Sequence, residues 1–249
     1  MSKLTGKVAV VTGASKGIGA AIAKAFGNEG ASVVVNYSSS KEGADSVVNS
    51  IIAGGGKAVA VKGDVTRGAD ADAIIGAAIE NFGKVDVLVN NSGVYDFSSI
   101  EDNTEDLYRK MFDVNVLGLL QTTQAAVKHF NGSGGSVINI SSAVTTLLPP
   151  NTAIYTGTKG AVDAITGVLA NELGARHIRV NAINPGIVET EGTHSAGFIG
   201  SEFEQQAVQQ TPLGRTGQPD DIASVAVFLA SDDSRWLTGE KINAAGGLR

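Results

Sequence analysis

The chain has 249 residues, a length that suits one α/β domain with a large buried core. Its 19 Lys+Arg stand against 25 Asp+Glu, a net charge of −6 with no basic block, which argues against nucleic acid or an anionic membrane surface as partner. With no cysteine there are no disulfides or thiolate metal sites. The three histidines, His129, His177 and His194, lack ligand-like spacing, so no metal is expected.

The first residues run straight into a strand-like segment, so no secretory leader is expected, and the apolar runs are too short to span a membrane. A cytoplasmic protein is the expectation. Along the chain, short runs rich in Val, Ile and Ala alternate with longer helical stretches. Strands are predicted at 8–12, 32–36, 58–62, 85–90, 136–140, 178–183 and 241–243. Most are continuous apolar runs, as strands buried on both faces should be. Helices are predicted at 17–29, 41–53, 69–82, 104–130, 153–174 and 219–231, the fourth interrupted at 113–118. This alternation implies parallel strands joined by right-handed crossovers. The expected fold is α/β: a single Rossmann-like, doubly wound domain over residues 1–249, with about seven parallel strands and helices on both faces. A long polar segment at 189–217 breaks the rhythm and reads as a substrate lid.

Gly13-Ala-Ser-Lys-Gly-Ile-Gly19 follows the first strand and opens the first helix. Its glycines let backbone approach a pyrophosphate at the positive helix N-terminus. The expected dinucleotide contacts there are Gly13, Ser15, Lys16, Gly17, Ile18 and Gly19. The end of the second strand should read the adenosine ribose. It carries Asn36, Tyr37, Ser38 and Ser39, with no acid before Glu42. Asn36 would not repel a 2′-phosphate, the serines could donate to it, and Lys16 adds charge. NADP(H) is therefore expected over NAD(H), and an acid at position 36 is expected to shift the preference towards NAD(H). Asp64 and Val65 follow the third strand and Asn91, Ser92 and Gly93 the fourth, at the carboxyl ends where ligands of open α/β sheets bind. Asp64 is placed to accept from an adenine amino group.

Tyr155 and Lys159 stand four apart on a predicted helix and so share one face. The ammonium is expected to favour the phenolate and pull the phenol below its usual value of about 10. A phenol so tuned can serve as acid to a developing alkoxide or as base to an alcohol. Ser142 lies thirteen residues before the tyrosine. The adjacent Ser141 points the other way on a strand and is expected to be packed or bonded to backbone.

Together, Thr12–Gly19, Asp64-Val65, Asn90–Gly93, Asn115, Ser142, Tyr155-x-x-x-Lys159 and Pro185-Gly186-Ile-Val-Glu-Thr190 resemble the short-chain dehydrogenase/reductase family over the full length. The chain looks most similar to its bacterial ketoreductase branch, with 3-oxoacyl-carrier-protein reductases and glucose dehydrogenases. Asn-Asn-Ser-Gly stands where Asn-Asn-Ala-Gly is commoner. The resemblance implies a catalytic set of Asn115, Ser142, Tyr155 and Lys159. Tyr155 would be the general acid in ketone reduction, Lys159 would hold the nicotinamide ribose, and Ser142 would bond the substrate oxygen. Asn115 would anchor a water linking Lys159 to solvent. Pro185, Gly186, Val188 and Thr190 would fix the nicotinamide carboxamide.

The substrate pocket is expected around Val94-Tyr95, 143–150 and the lid residues 189–203, an apolar neighbourhood with Val144, Leu147, Leu148, Phe198 and Ile199. It suits a neutral ketone or secondary alcohol. His194, in the lid, could reach substrate. Two other readings stay open: a non-redox relative of the same fold, such as a dehalogenase or epimerase, and a catalytically silent dinucleotide-binding protein. The intact glycine loop speaks against the dehalogenase, and the presence of Ser142, Tyr155 and Lys159 against the silent protein. The family resemblance implies a homotetramer. Small and apolar residues around the helices at 104–130 and 153–174 also ask for a second copy, and the tail at 242–249 offers a further contact.

Overall fold

The computed structural model describes residues 2–130, 132 and 134–248, with Phe203 as backbone only. Seven strands form one parallel sheet: β1 (Val8–Val11), β2 (Ser32–Tyr37), β3 (Lys57–Lys62), β4 (Val87–Asn90), β5 (Gly135–Ile140), β6 (Ile178–Pro185) and β7 (Lys241–Ala244). Their order is β3-β2-β1-β4-β5-β6-β7. The chain winds outward from β1 in one direction, then returns and winds outward from β4 in the other. The carboxyl ends of β1 and β4 therefore diverge into a crevice.

Ten α-helices are placed among the described residues: α1 (Gly17–Asn28), α2 (Lys41–Ala53), α3 (Gly68–Phe82), α4 (Glu105–Phe112), α5 (Gly118–Val127), α6 (Val144–Leu147), α7 (Ala153–Leu173), α8 (Glu191–Ser195), α9 (Glu202–Gln210) and α10 (Pro219–Ala230). Successive strand residues face opposite sides. Ala9 and Val11 pack with Phe26 of α1, Ile51 of α2 and Ile222 of α10. Val8 and Val10 pack with Ile74 of α3, Ala126 of α5 and Leu173 of α7 on the other face. The all-apolar strands are thus explained by burial on both sides.

The interruption expected at 113–118 is a five-residue π-helical turn, Asp113–Leu117, between α4 and α5. The segment 189–217 departs from a plain loop, since it contains α8 and α9. Ser201 caps α9 by accepting from Glu204 N, and Thr190 and Thr193 form a reciprocal cap on α8. The tail forms the edge strand β7, with Arg249 outside the described residues. No helix among the described residues is long and apolar enough to cross a membrane.

Candidate active site

The crevice above β1 and β4 encloses about 550 Å³. Gly13, Ser15, Lys16, Gly17, Ile18 and Gly19 line one end, with Ser38, Ser39, Asp64 and Val65 beside them. Asn91, Ser92 and Gly93 line its middle, and Tyr155, Lys159, Pro185, Gly186, Val188 and Thr190 the far end.

The glycine loop is built from backbone that a side chain would block. Gly13 and Gly17 sit at φ +60 and +56, in the left-handed region. A Cβ on Gly19 would stand 2.4 Å from Asn91 Nδ2 and 2.7 Å from Gly13 O. Asn91 Nδ2 donates to Thr12 O (2.9 Å) and Gly13 O (3.0 Å), so β4 holds the loop that follows β1. Thr12 Oγ1 accepts from the backbone N–H groups of Asn91 and Ser92, both at 3.0 Å. Helix α1 has no side-chain cap of its own, and its Gly17 N–H donates instead to Glu191 Oε2 of α8 at 3.0 Å. A carboxylate on this N-terminus is the kind of group its dipole favours. The backbone cradle and uncapped helix end therefore fit a dinucleotide phosphate. Sequence reasoning missed Glu191, because its partner lies 174 residues away.

Two sequence expectations at the ribose end are corrected. Asn36 is 1% exposed and does not line the crevice. Its Oδ1 accepts from Gly13 N (3.1 Å), and its Nδ2 donates to Gly63 O (3.1 Å) and Val61 O (3.3 Å). It braces the glycine loop from beneath. Tyr37 is packed in the core. Adjacent residues of β2 point to opposite faces and both faces are covered, which buries both side chains and leaves Ser38 and Ser39, just past the strand, as the exposed lining residues. Asp64 does line the crevice, with its Oδ1 bonded by Thr66 N and Thr66 Oγ1.

A second cavity of about 640 Å³ meets the first at Tyr95, Ser142, Tyr155, Pro185, Gly186, Val188 and Thr193. Its other walls include Val144, Leu147, Ile187, Phe198 and Leu248, with no Lys, Arg, His, Asp or Glu among the described residues that line it. Four aromatic rings gather there. Phe97 lies 5.8 Å from Tyr155 and 5.1 Å from Phe198 between centroids, and Tyr95 lies 6.2 Å from both. Phe97 was not foreseen, although it follows the Asn90–Gly93 turn closely. Of the foreseen lid residues, His194 lies outside this lining and pairs with Glu189 at 2.9 Å, while the Phe203 side chain lies outside the described residues. A third depression, around Lys7, Asp86 and Arg179, opens away from every predicted site residue.

The four expected catalytic residues converge. Ser142 and Tyr155 stand together where the two cavities meet, and Lys159 Nζ lies 5.9 Å from the Tyr155 ring centroid. Lys159 is buried and donates to Ile140 O at 2.9 Å. Ser141 Oγ instead donates to Lys159 O, the backbone-bonded role expected for it. Asn115, within the π-turn, accepts from Val94 N (2.8 Å) and donates to Val94 O (2.8 Å) and Thr158 Oγ1 (3.0 Å). Its side chain thus fixes the loop after β4 to α7.

The expected downward pull on Tyr155 is overturned. Burial pushes its phenol up to about 12, against the opposing effect of the nearby Ser142 hydroxyl. Burial also brings Lys159 down to about 8, opposed by Asp163. Desolvation disfavours both charged forms and outweighs the pairing expected from helical spacing. The phenol is therefore held protonated, the form that can give a proton to a carbonyl oxygen. No cluster of side chains suited to a metal ion occurs among the described residues.

A family model described as enoyl-(acyl carrier protein) reductase matches residues 13–249. An uncharacterized oxidoreductase of Methylorubrum extorquens is 66% identical, with all of both chains covered. The structure of a short-chain dehydrogenase/reductase from Serratia marcescens superimposes with a TM-score of 0.94 at 35% identity, over 99% of both chains. That of an angucycline C-6 ketoreductase with bound NADP does so at 0.93 and 36%, over 99% of this chain and 97% of the other. The family match, the identity over the whole chain and the shared fold agree: the chain belongs to the short-chain dehydrogenase/reductase family and is an oxidoreductase of that type.

Proposed function

We propose that the protein is an NADP(H)-dependent ketoreductase that interconverts a neutral apolar ketone and its secondary alcohol. The observation that carries this reading is the meeting of the two cavities at Ser142 and Tyr155. One cavity offers the phosphate cradle and the other an uncharged, aromatic-walled space, so both reactants reach the same pair of hydroxyls. When bound, the reduced nicotinamide would supply the hydride. Gly13, Ser15, Lys16, Gly17, Ile18 and Gly19 would hold its phosphate end, Lys159 its nicotinamide ribose, and Pro185, Gly186, Val188 and Thr190 the carboxamide.

In the reducing direction, Ser142 Oγ and the Tyr155 hydroxyl would bond the ketone oxygen. Tyr155 would give up its proton as negative charge grows there, and Lys159 would stabilise the resulting phenolate. Asn115 would keep Val94 and α7 in register, and its place in the π-turn suits the proposed water relay to Lys159. The absence of charged residues from the substrate lining, among the described residues, argues against a carboxylate or phosphate on the substrate. The ketoreductase relative with bound NADP supports the reaction class, and Lys16, Ser38 and Ser39 support the preference for NADP(H).

The whole chain would act as one unit, with 189–217 as its lid, in the cytoplasm and as a homotetramer. Exposed Tyr108 on α4, Leu117 in the π-turn, Leu120 on α5 and Val168 on α7 support assembly through these helices. Light scattering checks that point: a particle of 25.3 kDa that is fully active would rule it out.

The decisive experiment is a panel of cyclic, aryl and thioester ketones, with an enone, run with NADPH and with NADH. Reduction of ketones with the higher kcat/KM on NADPH is expected. Reduction of the enone at carbon only, or no oxidation of nicotinamide with any carbonyl, would overturn the reading.

A further inference from the structure

Helix α7 carries a third polar side chain in line with Tyr155 and Lys159. Asp163 stands one turn beyond the lysine, on the same face. Opposite it, near the end of β6, lies the buried Asn184. Its Nδ2 is 3.1 and 3.3 Å from the two Asp163 carboxylate oxygens, 3.2 Å from Ser142 O and 3.2 Å from Thr145 Oγ1. Thr145 Oγ1 donates to the same Ser142 carbonyl at 3.1 Å. Asn184 Oδ1, by contrast, is buried without a partner among the described residues.

A buried amide oxygen left unpaired is costly, so an amide at this position calls for a reason. Packing alone would be served by an aliphatic side chain. An aliphatic side chain cannot present two N–H protons to two separate acceptors. Here the nitrogen lies within hydrogen-bonding distance of both the Asp163 carboxylate and the Ser142 carbonyl. Turned over, the amide would aim its oxygen at acceptors on both sides. Asp163 therefore dictates which way the amide faces, and that orientation grips the backbone of the residue whose hydroxyl meets Tyr155. The same carboxylate opposes the loss of charge on Lys159.

We infer that Asp163 and Asn184 are positioning residues: the carboxylate orients the amide, and the amide holds Ser142 in register with Tyr155. The inference rests on the reductase reading given above. A small displacement of Ser142 would act on the rate of the chemical step more than on the binding of either reactant.

The test compares D163A, N184A, N184L and the D163A/N184A double variant with the wild type. It measures kcat and KM for a ketone that the wild type reduces, the NADPH Kd, and Tm. N184L keeps the volume and removes the unpaired oxygen, which guards against loss of fold. Each single variant is expected to lose about tenfold or more in kcat, with KM and NADPH Kd within about twofold of wild type. The double variant should be no slower than the slower single, because the two residues act in series. Wild-type kcat in N184L, multiplied losses in the double variant, or a loss in which KM, Kd and Tm all move together would overturn the inference. A wild type that turns over no carbonyl would overturn the reductase reading, and the inference with it.

Discussion

Asn36→Asp separates two accounts of the ribose end of the crevice. If the side chain faced the cofactor, a carboxylate would repel a 2′-phosphate and favour NADH. The structure instead buries it at 1% exposure, with Nδ2 donating to the carbonyls of Val61 and Gly63. The substitution replaces that donor with an anionic oxygen facing carbonyl oxygens, so the folded protein must keep the new carboxyl protonated. The unfolded chain releases that proton near pH 4, at the ordinary aspartate value of about 3.9. Holding it to pH 7 costs about 1.4 kcal/mol for each intervening pH unit, or about 4 kcal/mol. The unfolded state then binds fewer protons than the folded one, so stability falls as pH rises from about 4 to 7. Weakened donation to the two carbonyls adds about 1 kcal/mol at every pH. For a chain of this size each kcal/mol lowers Tm by about 2–4 °C, so a drop of roughly 10–20 °C is expected at pH 7. The drop should be markedly smaller at pH 5. Thermal melts of variant and wild type at the two pH values provide the assay. A variant melting within 2 °C of wild type at pH 7, with its preference moved to NADH, would refute the buried placement.

Tyr155→Phe should abolish ketone reduction while leaving NADPH binding within about threefold, measured by turnover and fluorescence titration, since the phenol is the proposed proton donor. Ketone reduction should hold steady at lower pH and fall as pH rises through about 8, where Lys159 loses its charge, while Tyr155 stays protonated until about 12. A rate that climbs through pH 8 would contradict these assignments. Glu191→Gln should tighten NADPH binding by about twofold to fivefold, because the Gly17 N–H then holds a neutral side chain that yields more readily to a phosphate. An unchanged or weaker Kd by titration would show that the Glu191 contact does not compete with the cofactor.

Much of this protein was determined locally and could be read from the sequence. Strand positions follow from apolar runs buried on both faces, which is why all seven were placed within about two residues. The glycine loop was legible because Gly13 and Gly17 require left-handed backbone and the motif sits between a strand and a helix. The break around Asn115 was visible as a lapse in helical pattern. The helix α9 could have been found too, from the capping spacing of Ser201 and Glu204.

What only the tertiary structure decided depends on contacts between residues far apart in sequence, or on exclusion of water. Asn36 reads as a ribose contact until the parallel register with β3 brings Val61 and Gly63 carbonyls to its amide. Glu191 reaches Gly17 because α8 lies against the N-terminus of α1. The joining of Asp163 to Ser142 through Asn184 needs α7 packed on β6. Helical spacing put Lys159 and Tyr155 on one face but carried no measure of desolvation. That term is set by what surrounds the pair, and here it reversed the expected shift of the phenol.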